Sequence, residues 1–475
     1  MTTGAGEKLR FREMLSYGCG DFAAVLYWIT AIRFLPYFYT EIYGLSAAAL
    51  GNLMLFSRVW DGINDPLVGM WADRNRSRWG RYRPFILFGC VPFGVTAVLA
   101  FTTPQFGENG KLIWAYATYN AFMMLSTVVN IPYTSLLGVI SANPAERTRL
   151  ASVKFSFAYA SGLGVSAALL HMAGVLGEGR SPQFGWQATL AIFGLVATGF
   201  YLIAFVGTRE RVQPTAEERV SIWKDLKILA ANKPWVVLLV TSLIWSVAQS
   251  LRTSICAHYF KYFVHNGSTE GTCTVFGREF SLDGVIAFFF TASGVAALAG
   301  MVAGGFVAAR VGKKGYFIFS YGVGSACALA FYFVDPTRLE LLIISEVVGS
   351  LLGSPAAMLA WAMFADTADY GEWHWNRRTT ALIFSVSALC MKVGDAIGAK
   401  VSLEMLDRAG FVANQAPSEA VREVLRMLMS VYPVVVGAVS LGVFLLYPLS
   451  ERRVKQIAAD LAQRRAARNG GGGGS

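Results

Sequence analysis

Twelve apolar runs, each bounded by charge, Gly or Pro, limit what this chain can fold into. They cover approximately residues 15–43, 47–72, 85–103, 112–140, 151–177, 186–207, 234–264, 282–309, 315–334, 339–365, 379–406 and 425–449. A helix crosses the hydrocarbon core of a bilayer in about 20 residues. Runs of this length and number predict an all-α membrane protein of twelve transmembrane helices. Composition agrees: only 15% of residues are charged and mean hydropathy is +0.47, where soluble domains carry about 25% charged residues. Several runs are polar in places, as expected of helices that line a cavity.

Basic residues sit in short loops between the runs, which is the positive-inside pattern and not a nucleic-acid-binding face. With an even number of spans both termini share a side. Placing them in the cytoplasm puts 27 of the 41 Lys and Arg into cytoplasmic segments. The longest of these, 208–233, begins TRERVQPTAEERVS and divides the chain into six spans and six. The expected organisation is an N-terminal bundle over 1–207, a middle loop over 208–233, a C-terminal bundle over 234–450 and a cytoplasmic tail over 451–475. Gly69-x-x-x-Asp73-Arg74 after the second run is echoed by Gly305-x-x-x-Ala309-Arg310-x-Gly312-Lys313-Lys314 after the eighth, as in a parallel repeat. Cys19, Cys90, Cys256, Cys273, Cys327 and Cys390 form no CxxC pair and read as packing thiols. The first fifteen residues lack the long apolar stretch of a signal peptide. The terminal GGGGGS has the composition of a flexible linker.

The stretch RVWDGINDPLVGMWADRNRSRWGRYRPF, Arg58 to Phe85, places Asp61 and Asp65 inside an apolar helix. Residues four apart share a helix face, and Asn64 lies close to it. A carboxylate deep in lipid is expensive, and two adjacent anions repel, so one tends to take up a proton or a cation. Pro66 withdraws a backbone donor, and oxygen ligands suit hard cations. The competing reading is a static salt bridge of Asp61 to Arg58, three residues away. Asp21 in the first run is a second intramembrane acid, able to accept hydroxyl hydrogen bonds of the kind a sugar ring offers, or to pair with Arg33. Lys154, Arg252 and Lys392 are intramembrane cations that together favour a substrate carrying a carboxylate, sulfonate or phosphate, unless each pairs with a nearby acid such as Asp395. Glu346 is an intramembrane acid with no evident partner, hence a secondary protonation candidate. Trp361 and Trp28 are candidate stacking platforms, although interfacial Trp is commonly an anchor. His258 reads as structural. The segments Asp73 to Arg83 and Asp366 to Arg378, with Asp73, Arg74, Arg78, Asp366, Asp369 and Arg377, read as gate-closing ion pairs or as solvated basic loops.

The same stretch resembles the second-span signature of the glycoside–pentoside–hexuronide:cation symporters, the melibiose permease family. The likeness continues in NIPYTSLL (Asn130 to Leu137), ERTRLASVKFSFA (Glu146 to Ala158) and FADTADYGEWHWNRRT (Phe364 to Thr379), followed by Lys392. It implies the major facilitator fold, two six-helix bundles with alternating access. It implies that Asp61 and Asp65 hold the coupling cation with Thr127 as a hydroxyl ligand, and that Asn130 stands where the melibiose permease has a third acid. With one carboxylate fewer, proton coupling is favoured over sodium. It also implies that Asp21 binds sugar, with Gly20 in place of the family's lysine, that Lys392 lies in the cavity, and that Lys154 sits near the family's fifth-span arginine. Tyr133 and Thr134 are expected to face the cavity.

The expected activity is therefore cation-coupled symport of a sugar or glycoside, with hexuronides and sulfonated sugars among the substrates. The alternatives are symport of an anionic amphiphile such as a lysolipid, and uncoupled facilitation. No P-loop, nucleophile motif or metal-ligand cluster points to an enzyme, and no cofactor is expected beyond the coupling proton or sodium. The expected setting is a bacterial cytoplasmic membrane, with lipid around a monomer and both termini inside.

Overall fold

The computed structural model describes residues 9–141, 144–211, 222–264, 272–376 and 380–470. The long helices are α1 (Phe11–Ile42), α2 (Ala47–Arg74), α3 (Arg83–Ala100), α4 (Glu108–Ile140), α5 (Pro144–Gly177), α6 (Pro182–Gly207), α7 (Lys233–Val264), α8 (Leu282–Val311), α9 (Lys313–Phe333), α10 (Leu339–Trp375), α11 (Thr380–Arg408) and α12 (Glu419–Leu445). Among the described residues eleven helices are long and apolar enough to cross a membrane. The remaining long helix, α2, has 28 residues, ample length at 1.5 Å per residue. Its intramembrane charges lower its hydropathy.

Two helices depart from the expected boundaries for a visible reason. α10 breaks at Ser354, resumes at Pro355 and runs on to Trp375, because the charged segment ADTADYGEWHW continues the helix past the apolar run. α12 starts at Glu419 on the amphipathic turns EAVREVLRMLM, which a search for continuous apolarity passes over. A short helix, Ile222–Ala231, occupies part of the expected middle loop, and a C-terminal helix, Glu451–Gly470, follows α12. Between α7 and α8 lies an unexpected hairpin, β1 (Thr272–Val275) paired antiparallel with β2 (Arg278–Ser281). Phe276 and Gly277 turn it with φ of 49° and 76°, the sign pattern of the tight turns that match strand twist.

Packing divides the chain into two compact units. The first comprises Met1–Ala216, Thr253–Gly294 and Lys400–Leu425, and the second Glu217–Arg252, Val295–Ala399 and Arg426–Ser475. In the first, α1 packs on α5 and α6, α3 on α4 and α6, and α2 on α4. In the second, α9 packs on α10 and α12, and α10 also meets the C-terminal helix. There the Gly394-x-x-x-Gly398 step of α11 brings it onto α7: a Cβ at Gly394 would lie 2.6 Å from the Leu243 carbonyl oxygen. Such small-residue steps let helix backbones approach where lipid supplies no hydrophobic drive.

Three stretches wind as π-helix: Thr30–Phe34 and Phe38–Ile42 in α1, and Tyr259–Val264 in α7. π turns are uncommon and often mark functional positions. In the first unit two of them meet. Glu41 accepts from Lys261 Nζ at 2.6 Å and from the Tyr262 hydroxyl at 2.7 and 2.8 Å. Lys261 also donates to Asn414 Oδ1 at 2.7 Å, and Asn414 Nδ2 donates to the Glu41 carbonyl at 3.0 Å. His258 Nε2 lies 2.7 Å from Thr40 Oγ1, and the ring is fully buried.

Candidate functional site

Arg58, Asp61, Asn64 and Asp65 follow i, i+3, i+6, i+7 spacing on α2, and Asp61 and Asp65 meet Thr127 on α4. The Thr127 hydroxyl oxygen is 2.7 Å from Asp61 Oδ1 and 3.0 Å from Asp65 Oδ1. A hydroxyl has a single hydrogen, so it donates to one of the two carboxylates at a time. Asp61, Asn64 and Thr127 are buried and Asp65 is half-buried. Arg58 is buried over the ring of Trp28, with its guanidinium carbon 4.4 Å from the ring centre. Arg58 thus occupies one side of the Trp28 ring, which is itself half-buried. Arg58 Nη1 and Asn64 Nδ2 are buried donors that find no acceptor among the described residues.

Asn130 lies three residues along α4 from Thr127. Its amide donates to Ser126 Oγ at 3.0 Å and accepts from the Tyr201 hydroxyl at 2.8 Å, which ties α4 to α6. The structure thus brings Thr127 to the two acids and engages Asn130 with α6. Among the described residues no group of three or more His, Cys, Asp or Glu stands together as a metal cluster. The oxygen set of two carboxylates and one hydroxyl fits a proton or a small monovalent cation.

Asp21 is buried on α1, with Lys154 Nζ of α5 at 3.5 Å from its Oδ1. Arg33, the alternative partner, instead donates to Ser166 and lies over the Phe290 ring at 4.7 Å. Tyr133 does not face a cavity. It is 1% exposed, stacks on Tyr17 at 4.8 Å, and donates its hydroxyl to the Tyr17 carbonyl at 2.6 Å. This packing also accounts for Gly20, since any Cβ there would run into the Tyr133 ring. Thr134 is exposed.

The expectation of an unbalanced positive field is corrected for two of its three cations. Lys154 stands beside Asp21, and Arg252 donates to Glu346 at 2.8 Å. Glu346 therefore has the partner that the sequence did not reveal. Lys392 is half-buried on α11. Trp361 has one ring face occupied by Phe384, parallel within 6° at 5.8 Å, and remains partly exposed.

Of the expected gate residues, Asp366 is held within the second unit by Lys313 at 2.6 Å, and Arg78 lies over Trp79 at 4.1 Å. Arg74 is exposed and Asp369 half-buried. Arg377 and the Asp73 side chain lie outside the described residues. Sequence reading missed what orders the basic loop. The Glu210 carboxylate accepts the backbone N–H groups of Arg81, Tyr82 and Arg83 at 2.8, 2.8 and 3.1 Å. Nearby, Arg211 forks onto both oxygens of Glu13 at 2.6 and 2.9 Å. The one sequence signal for these acids was their place at a helix end beside a basic loop.

A sequence profile of the family described as "MFS/sugar transport protein" matches residues 16–451. The chain is 32% identical over 462 residues to the putative glycoside/cation symporter YagG of Escherichia coli (strain K12), covering 97% of this chain and 96% of that protein. It is 30% identical over 460 residues to the isoprimeverose transporter of Lactiplantibacillus pentosus, covering 96% of this chain and 92% of that one. Among solved structures it resembles a bacterial homolog of the human lysosomal transporter Spinster, with a TM-score of 0.66 at 17% identity over 94% of this chain and 97% of the other. That last likeness speaks for the fold alone.

Proposed function

The chain belongs to the MFS/sugar transport family, an integral-membrane transporter and not an enzyme, and from that premise we propose that it carries a sugar or glycoside in symport with one cation held at Asp61 and Asp65. The observation that carries this reading is the Thr127 hydroxyl poised between the two carboxylates. The two acids converge on one hydroxyl between α2 and α4, and a bound cation offsets their mutual repulsion. The coupling ion is a proton. A sodium ion gains from each further anionic ligand, and here an amide, Asn130, replaces the third acid, whereas a proton needs a single carboxylate.

The substrate is a neutral sugar or glycoside. Lys154 and Arg252, which would have favoured an anionic solute, each lie against an acid. The Asp21–Lys154 pair offers an acceptor and a donor side by side, the complement of two neighbouring ring hydroxyls. The names of the relatives, a glycoside/cation symporter and an isoprimeverose transporter, agree with this class. The proposed setting is a bacterial cytoplasmic membrane with both termini inside, a reading the distribution of Lys and Arg supports.

Binding shifts the cycle only through its difference between conformational states. The test is uptake into proteoliposomes under an imposed pH gradient, with a sodium gradient in parallel. Accumulation of isoprimeverose or a related glycoside should follow the proton gradient and vanish in Asp61→Asn and Asp65→Asn. Full accumulation by both variants rejects the assignment. Accumulation that follows sodium alone rejects the choice of proton.

A further inference from the structure

The second unit contains a cavity of about 220 Å³ lined by α7, α8, α9, α10 and α12. Arg252 of α7 and Glu346 of α10 face each other on its wall, joined from Nη2 to Oε2 at 2.8 Å. Around them stand Gln249, Ser325, Cys327 and Ser350, while Gly324, Gly349 and Gly353 let α9 and α10 pack closely along the wall. A water occupies about 30 Å³ of the liquid and needs two to four polar partners. This space is polar enough and large enough for several waters.

The pair differs from an ordinary buried salt bridge. Its side chains are 17% and 19% exposed, where the Lys261–Glu41 pair is 2% and 0%. The guanidinium meets Glu346 at one point and leaves Arg252 Nε without a protein acceptor among the described residues. The same guanidinium lies over the Phe331 ring at 5.0 Å, an attraction that does not depend on Glu346. Arg252 therefore keeps support when its counterion is neutralised: the Phe331 ring on one side and a polar space with room for water on the other. Breaking a sealed buried pair leaves a bare charge and is costly, and that penalty is reduced here.

We propose that Glu346 is a second proton-binding site, reached by water through this cavity and separate from the Asp61–Asp65 site, with Arg252 as the counterion that each protonation releases. The step is balanced. A hydronium gives its proton to a Glu346 oxygen, the Nη2–Oε2 ion pair becomes a neutral acid beside a guanidinium, and the water left behind stays in the cavity. The described titratable groups lining the cavity with Glu346 are Arg252 on α7 and Cys327 and Tyr321 on α9; α8 and α12 contribute Ala297, Pro433 and Val434.

The test needs no transport substrate. Full-length protein in lipid bilayers is examined by pH-difference infrared spectroscopy for a protonated-carboxyl band that shifts in heavy water. Such a band should appear on acidification, persist in the Asp61→Asn/Asp65→Asn double variant and disappear in Glu346→Gln. In Arg252→Gln the acid loses its counterion, so the Glu346 band should be stronger than in the parent protein at the same pH. Arg252→Lys keeps a cation and should behave as the parent protein, which separates loss of charge from loss of fold. A spectrum unchanged by Glu346→Gln, or a Glu346 band that does not shift in heavy water, overturns the proposal whatever the fate of the Asp61–Asp65 reading.

Discussion

Two clusters of buried charge lie in the first unit and face the same physical problem, yet they solve it differently. At Glu41 the acid is matched. Lys261 and Tyr262 reach its carboxylate at 2.6–2.8 Å, Asn414 holds Lys261 and the Glu41 backbone carbonyl, and the ion pair is 2% and 0% exposed. At Asp61 and Asp65 two acids share one hydroxyl, and beside them Arg58 Nη1 and Asn64 Nδ2 find no acceptor among the described residues. Burying charge is tolerated where partners and hydrogen bonds are complete, and it costs several kcal/mol where they are not. The complete cluster is a tie between α1, α7 and the segment before α12. Under the proposed function, the acids of the other cluster are kept together for the cation they bind.

The contrast is sharpest in the variants with the largest effect. Lys261→Met strands the Glu41 carboxylate in a sealed site and should destabilise the protein by about 3–5 kcal/mol, read as a lowered thermal midpoint or lost expression. Adding Glu41→Gln should recover much of that loss, because no bare charge remains. Asp61→Asn should do the opposite. It removes charge from a site already rich in acid, so the thermal midpoint should hold or rise while gradient-driven accumulation disappears. If Asp61→Asn unfolds the protein as Lys261→Met does, the two clusters are alike and the distinction is lost. A smaller effect is expected of Tyr262→Phe. That hydroxyl reaches both Glu41 oxygens, and a hydrogen bond to a charged group is worth about 1.5–3 kcal/mol. Transport by the surviving protein should be retained.

How much of this was legible in the sequence depended on distance along the chain. The spans were, because apolar runs and helix length are local properties. The α2 acids were, because Asp61 and Asp65 sit four apart on one helix and betray themselves by spacing. The pairs Glu41–Lys261 and Arg252–Glu346 were not. Their members are 220 and 94 positions apart, and nothing in either local segment names the other. For the same reason Arg252 looked like an anion-binding cation and Glu346 like an orphan until packing brought them together. Tyr133 was misplaced because its neighbours in sequence, Asn130 and Thr134, are polar, while its neighbour in space is the Tyr17 ring. The β1–β2 hairpin escaped because its turn, Phe-Gly, lacks the Asn-Gly or Asp-Gly that usually announces one.

Thr127 gives the finest discrimination between the two clusters. Valine has nearly the shape of threonine but no hydroxyl, so Thr127→Val removes the donor shared by Asp61 and Asp65 and leaves packing largely intact. In a structural cluster such a change costs stability, as at Tyr262. In a site completed by a cation it withdraws a ligand or an orienting hydrogen bond, so the loss appears in cation dependence. At about 1 kcal/mol for one hydrogen bond, the ion concentration giving half-maximal transport should rise roughly five-fold, with the thermal midpoint without substrate nearly unchanged. Thr127→Ser keeps the hydroxyl and should restore most of the affinity. A midpoint that falls in Thr127→Val while the cation dependence stays fixed would place Thr127 with Tyr262, as part of the scaffold, and would move the coupling site away from α4.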